Sequence, residues 1–387
     1  MPEKRERIRV LTLIDIIWQA GGAERLAIEL TRRLDPERFE RTLFVTRWDP
    51  RLHEAPVEAG VLASLADGGV SVSGVERSGR LAPRAWQRLW RELRERRIDV
   101  VHAHKFGANV WGAVVGRLAG VPVVIAHEHS WAFEGSHARR LIDRHVVGRL
   151  ADAVIAVSDE DRRRIVEIER VPEDKVRFIP TGMPPVPQVG PPGDVRAELG
   201  LGEAPVIGSV CCIRPEKALP VLIRAAALLA PRFPGLQVVI AGDGDSQELR
   251  DLAEELGVGD RVRLLGFRAD VASVLAALDV AVNTSDREGS PLSIMEYMEA
   301  GLPVVATRVG GTPDLVAEGE TGLLVEPRDP AGLADAIAGL LEDRERAREM
   351  GRRGRERRRS LFDLERMVAD VEALYDELLE ARRAGAA

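Results

Sequence analysis

Short apolar runs recur along this chain, each ending at a turn and followed by a segment with helical spacing. In the first half they read as strands at Ile8–Ile14, Thr42–Trp48, Val70–Val75, Val100–His104, Val123–His127, Ala153–Val157 and Val176–Ile179. In the second half they read at Val206–Val210, Leu236–Ala241, Val262–Leu265, Val280–Asn283, Val304–Ala306 and Gly322–Val325. Strands that are apolar throughout and alternate with helices must be covered on both faces, so the pattern predicts α/β folding around parallel sheets. Ligands of such sheets bind at the carboxyl ends of the strands. The proline- and glycine-rich stretch Thr181–Gly193 can sustain neither a helix nor a central strand. The expected division is therefore residues 1–183, a linker at 184–198, a second domain at 199–363 and a closing helix at 364–387. The halves share no sequence self-similarity, so they read as two like folds and not as a repeat array.

Composition excludes several classes. A net charge of −7 gives no footing for a nucleic-acid binder. Cys211 and Cys212 are adjacent, a poor arrangement for a structural disulfide, which suits a reducing cytoplasm. The amino-terminal residues are charged and run straight into a strand, without a signal-peptide pattern, and no apolar run approaches the roughly 20 residues that span a bilayer. Basic residues are almost all arginine. Lysine occurs only at Lys4, Lys105, Lys175 and Lys217, so each lysine is worth attention.

Five stretches carry chemistry. Asp279–Ser285 reads as a strand and Ile294–Ala300 as a helix, joined by a loop holding Glu288, Gly289, Ser290, Pro291 and Leu292, with Pro291 near the first helical position. Such a start offers free backbone N–H groups and the positive end of a helix dipole to an anion. Glu288 and Glu296, with seven residues between them, are suited to accepting hydrogen bonds from sugar hydroxyls. Arg214 and Lys217 lie where another strand hands over to a helix, and two cations there can hold a diphosphate; an exposed charged turn is the plainer reading. Gly21 and Gly22 form a strand-to-helix turn, either for close approach of a ligand or for its dihedrals alone. His102 and His104, then His127 and His129, end two strands with a spacing that puts each pair on one face. A metal site and core histidines bonded to backbone are both open, although no closed ligand set with metal-site spacing is visible. Finally, Trp86, Leu89, Trp90 and Leu93 recur at helical spacing among the arginines of Pro83–Arg97. That helix either packs its apolar face on the sheet or lies on an anionic membrane.

The run from Glu288 and Glu296 through Gly301–Ala306, Gly310-Gly311-Thr312-Pro313-Asp314 and Gly319–Val325 resembles the E-x7-E region of the GT4 retaining glycosyltransferases. The resemblance covers nearly the whole chain and is stronger in the second half. It implies the GT-B fold, two Rossmann-like domains facing across a cleft, and transfer of a sugar from a nucleotide diphosphate sugar without a metal or other cofactor. It implies that Glu296 binds ribose, Glu288 the transferred sugar, and the backbone of Gly289, Ser290, Pro291 and Leu292 the sugar or β-phosphate. Lys217 and Arg214 would grip the diphosphate, while the loops of Gly242 and of Phe267 and Arg268 would line the nucleotide. By the same match, His129, with His127 as the alternative, and the Gly21-Gly22 loop would complete the site from the first domain. The acceptor would be a glycan, a lipid-linked or a small molecule, and a lipid-linked one would suit an enzyme lying peripherally on the inner face of the plasma membrane. The chain departs from the pattern where Cys212 replaces the usual Arg and where Thr181-Gly182-Met183-Pro184 replaces Asn-Gly-Val-Asp. The alternatives are a sugar-nucleotide epimerase or phosphorylase of the same fold, and a non-catalytic nucleotide-sugar binding subunit.

Overall fold

The computed structural model describes residues 7–17, 21–48, 56–77, 79, 82–129, 136–184 and 193–386. Residues 18–20 of the glycine turn and 185–192 of the linker lie outside them. The chain forms two compact units, Met1–Pro184 with Leu364–Ala387, and Pro185–Asp363.

The first unit holds β1 (Ile8–Ile14), β2 (Phe39–Val45), β3 (Ser71–Gly74), β4 (Val100–His104), β5 (Val123–His127), β6 (Ala153–Ala156) and β7 (Val176–Phe178). They build a parallel sheet in the order β3-β2-β1-β4-β5-β6-β7. The second strand starts and ends three residues earlier than the apolar pattern of Thr42–Trp48 suggests. Pairing with β1 runs from Ile8 opposite Phe39 to Ile14 opposite Val45. Beyond that, Thr46 and Arg47 N–H still donate to the Ile14 and Asp15 carbonyls, but the chain has entered a turn, and Trp48 N–H passes across to Val75.

The second unit holds β8 (Val206–Val210), β9 (Gln237–Ala241), β10 (Val262–Leu264), β11 (Val280–Asn283), β12 (Val304–Thr307) and β13 (Gly322–Val325). Its parallel order is β10-β9-β8-β11-β12-β13. In both sheets the order reverses beside the first strand, and the carboxyl edge at such a reversal is where sheets of this kind bind ligands.

The carboxyl-terminal region is three helices, Pro330–Glu342, Arg344–Leu361 and Leu364–Ala386. Asp343 separates the first two and caps the second by accepting from Arg346 N–H. The last helix buries Met367, Val371, Leu374 and Tyr375 against Val10, Leu26, Phe39 and Val123 of the first unit. The basic run Arg352–Arg359 is not simply a solvated face. Arg355 donates to the Glu299 carbonyl at 2.6 Å, Arg357 to the Leu315 and Asp314 carbonyls, and Arg358 and Arg359 to the Glu299 carboxylate. The bonds of Arg355, Arg358 and Arg359 hold the end of the helix Leu292–Ala300, and those of Arg357 hold the turn Thr312–Leu315.

The helix Pro83–Glu95 packs Ala85, Trp86, Leu89 and Leu93 into the core, with Trp86 stacked on Trp111 at 4.3 Å. Trp90 stays 39% exposed beside the exposed Arg84, Arg88, Arg91 and Arg94.

Candidate active site

In the second unit, the sheet reverses between β8 and β11. From β8 come Cys211, Cys212, Arg214 and a 3₁₀ turn, Pro215–Lys217, which leads into the helix Leu219–Leu229. From β11 comes the loop with Glu288. Lys217 Nζ donates to Glu288 Oε1 at 2.7 Å, and Ser285 Oγ (2.6 Å) and Asn283 Nδ2 (3.2 Å) donate to the same oxygen. Thr284 Oγ1 donates to the Lys217 carbonyl at 2.8 Å and Asp286 N–H to that of Glu216 at 2.8 Å. The two loops are thereby one wall. Burial opposes the charge on Lys217, but the Glu288 carboxylate outweighs it and holds the ammonium above the usual lysine range. Among the described residues none donates to Glu288 Oε2.

Two glycines let neighbouring backbone close on this wall. A Cβ on Gly242 would lie 1.7 Å from the Cys211 carbonyl oxygen. One on Gly310, whose φ is +51°, would lie 1.7 Å from that of Glu288, while Gly311 N–H donates to the Gly289 carbonyl at 2.9 Å.

The helix Leu292–Ala300 starts beside Gly289 and Ser290. Pro291 takes the N-cap position and not the first helical one, with extended backbone and no capping side chain, so the N–H groups of Leu292 and Ser293 have no intrahelical acceptor. Glu296 is buried on this helix. Next to it, the Tyr297 hydroxyl accepts from Val210 N–H at 2.8 Å and donates to the Val210 carbonyl at 3.1 Å, pinning the helix to the end of β8. Nothing in the spacing marks Tyr297.

The remaining expected contacts are placed unevenly. Arg214 is half-exposed, with Glu216 at 3.9 Å. Burial pushes the Cys211 thiol up to about 11 and raises that of Cys212, so no thiolate opposes an anion where the family Arg would stand. Phe267 is 56% exposed on the loop after β10. The guanidinium of Arg268 is taken by Asp270 (2.8 Å) and Glu198 (2.7 Å), which raise its pKa, so its side chain is committed to protein carboxylates.

In the first unit the sheet reverses between β1 and β4. Gly21 is the N-cap of the helix Gly22–Arg33, without a side-chain cap. Glu24, 3% exposed in the first turn, accepts from Lys105 Nζ at 2.6 Å. Lys105 opens the helix Lys105–Ala119 with a left-handed φ of +72°. No local pattern pairs these two residues; the scarcity of lysine was the one signal.

The four histidines come together because β4 and β5 pair with His104 opposite His127. His102 Nδ1 bonds the Tyr375 hydroxyl at 2.6 Å, His102 Nε2 bonds His127 Nδ1 at 3.1 Å, and His104 Nδ1 bonds His129 Nε2 at 2.9 Å. Burial lowers the pKa of all four, that of His127 to about 3, so the rings are neutral. Nitrogens of His102, His104 and His127 lie within 4.8 Å of one another and could hold a metal ion, but the bond between His102 and His127 occupies part of that set. Glu128 lies between the two histidines of β5's end. It accepts from Asn109 Nδ2 at 2.7 Å, and burial with Asp143 and Glu169 raises its pKa well above the usual range.

Comparison with known proteins fits this geometry. Residues 194–357 match the family described as Glycosyl transferases group 1, and residues 20–185 match Glycosyltransferase Family 4. The chain is 32% identical over 307 residues to D-inositol 3-phosphate glycosyltransferase of Corynebacterium glutamicum, covering 73% of this chain and 72% of that protein. It is 32% identical over 193 residues to N-acetyl-alpha-D-glucosaminyl L-malate synthase of Bacillus anthracis, covering 49% and 50%. Among solved structures, Anabaena HepE in complex with UDP and glucose superposes with a TM-score of 0.83 at 23% identity, over 96% of this chain and all (100%) of that one. WaaG, a glycosyltransferase involved in lipopolysaccharide biosynthesis, does so with 0.70 at 16% identity, over 94% and 99%. These likenesses carry the fold.

Proposed function

Because the chain belongs to the family 4 glycosyltransferases, with a group 1 glycosyl transferase domain as its second unit, we propose that it moves a sugar from a UDP- or GDP-sugar to an acceptor hydroxyl with retention of configuration. The observation that carries this reading is the Lys217–Glu288 pair at the reversal of the second sheet, beside the uncapped start of Leu292–Ala300. Lys217 spends one of its three donors on Glu288 and keeps two for a diphosphate. Arg214 and the N–H groups at the helix start add positive charge to the same anion, the role a divalent metal would otherwise fill. Glu288 Oε2 is left for hydroxyls of the transferred sugar, and Glu296 takes the ribose. The bond from the anomeric carbon to the β-phosphate oxygen breaks, the acceptor oxygen bonds the same face, and the departing phosphate oxygen takes the acceptor's proton. His129 and the Gly21-Gly22 turn serve the acceptor in the first unit; the acceptor is a glycan, a lipid-linked or a small molecule.

The deciding experiment is a thermal-shift panel of UDP, GDP, ADP and their sugars, followed by turnover with the best donor in chelator. A bound nucleotide raises the melting temperature by mass action. No shift with any of them, or turnover that needs a divalent cation, would overturn the proposal.

A second proposal concerns location. Among the described residues no helix is long and apolar enough to cross a membrane. The exposed arginines and Trp90 of Pro83–Glu95 fit peripheral contact with an anionic leaflet from the cytoplasmic side. Absence of co-sedimentation with anionic liposomes at low salt would remove it.

A further inference from the structure

In the proposed reaction His129 touches the sugar or the acceptor, and the role assigned to its neighbour His104 rests on that reading. His104 is buried and lies against the rings of His102 at 4.4 Å, His127 at 4.9 Å and His129 at 5.2 Å. Its backbone is held on both sides, by the β4 ladder before it and by the left-handed Lys105, itself bound to Glu24, after it. His129 lies beyond the end of β5 and is only half-buried. The fixed ring therefore sets the orientation of the freer one through the 2.9 Å bond between His104 Nδ1 and His129 Nε2.

The direction of that bond is set by the other nitrogen of His104. Its Nε2 is buried and has no hydrogen-bond partner among the described residues. If it carried the proton, a buried N–H would be orphaned, which folded proteins almost never tolerate; an unused acceptor lone pair is less costly. We propose that His104 is a positioning residue whose Nδ1–H donates to Nε2 of His129, so that His129 presents Nδ1–H, a hydrogen-bond donor, to its ligand. Both rings are neutral, so each carries one proton. A donor at that atom can grip a sugar hydroxyl or acceptor oxygen, and it cannot act as the base. It thus agrees with a transfer in which the leaving phosphate oxygen collects the proton.

NMR of the imidazole nitrogens in the whole protein at neutral pH reads the tautomer without activity: the expected result is a proton on His129 Nδ1 and none on Nε2. In turnover, His104→Ala is expected to lower kcat roughly ten- to a hundredfold with little change in donor KM. His104→Asn, whose amide can donate from the same place, restores most of it. His104→Asp, which can only accept, does not. A proton on His129 Nε2 overturns the inference, as does an unchanged kcat for His104→Ala where His129→Ala is impaired. A wild-type rate for His129→Ala would instead remove the role given to His129, and the NMR result would still decide the tautomer.

Discussion

Lys217 and Glu288 are 71 positions apart in the chain and 2.7 Å apart in the fold, joined because β8 and β11 are neighbours at the reversal of the second sheet. Each stands where the other's charge is needed. Removing either leaves its partner without its counter-ion and, in the proposed reaction, takes away a contact with the donor. Lys217→Ala and Glu288→Gln are each expected to lower kcat on the order of a hundred- to a thousandfold, the usual loss for a group that stabilises developing charge. Steady-state turnover with a nucleotide sugar checks this; near-wild-type rates in both would refute the assignment.

Gly310 is the backbone counterpart of that pair. Its left-handed φ and its closeness to the Glu288 carbonyl leave no room for a side chain. Gly310→Ala is expected to destabilise the second unit by about 1–3 kcal/mol through forced backbone displacement. It also shifts Glu288, so activity falls further than stability. Denaturant unfolding and turnover measured together separate the two effects.

Tyr297 fixes the helix that carries Glu296 to the last residue of β8. Tyr297→Phe keeps the ring packed and leaves both polar groups of Val210 without the hydroxyl. The expected cost is about 1–3 kcal/mol. Its signature is a lower melting temperature that saturating donor nucleotide partly restores. An unchanged melting temperature would mean that the hydroxyl is not needed to hold the helix.

Asp143 lies in a π-helical turn, Asp143–Val147, with Glu128 and Glu169 nearby and Arg139 as the cation at 3.8 Å. Burial pushes its carboxyl up to about 6, so the folded protein prefers it protonated. Its contribution is fully present below the ordinary aspartate value near 4 and is lost as pH rises through about 6. Asp143→Asn is therefore expected to raise the melting temperature at pH 7.5 and to leave it little changed at pH 4, with a gain of at most about 3 kcal/mol. A gain that is equal at both pH values would contradict this sign.

Local pattern carried much of the architecture. The apolar runs marked every strand among the described residues, since a strand buried on both faces must be apolar whatever it packs against. Where pairing partners decide the ends, as in β2, the pattern ran past the ladder. The E-x7-E stretch was legible for a similar reason, because a loop and the helix it opens are contiguous. The role of the Arg352–Arg359 run was not, because an arginine pattern looks the same whether its side chains meet water or the carbonyls of another helix.

The chain by itself determined two parallel α/β units and the residues after β8 and β11 that carry charge and free N–H groups, since these follow from periodicity and from neighbours in sequence. Only the tertiary structure decided that Lys217 meets Glu288, that Lys105 meets Glu24, that Tyr297 reaches the end of β8 and Tyr375 reaches His102 within β4, and that His104 holds His129. Those contacts join residues far apart in the chain, and strand order and register, which no local pattern encodes, choose which side chains share a point in space.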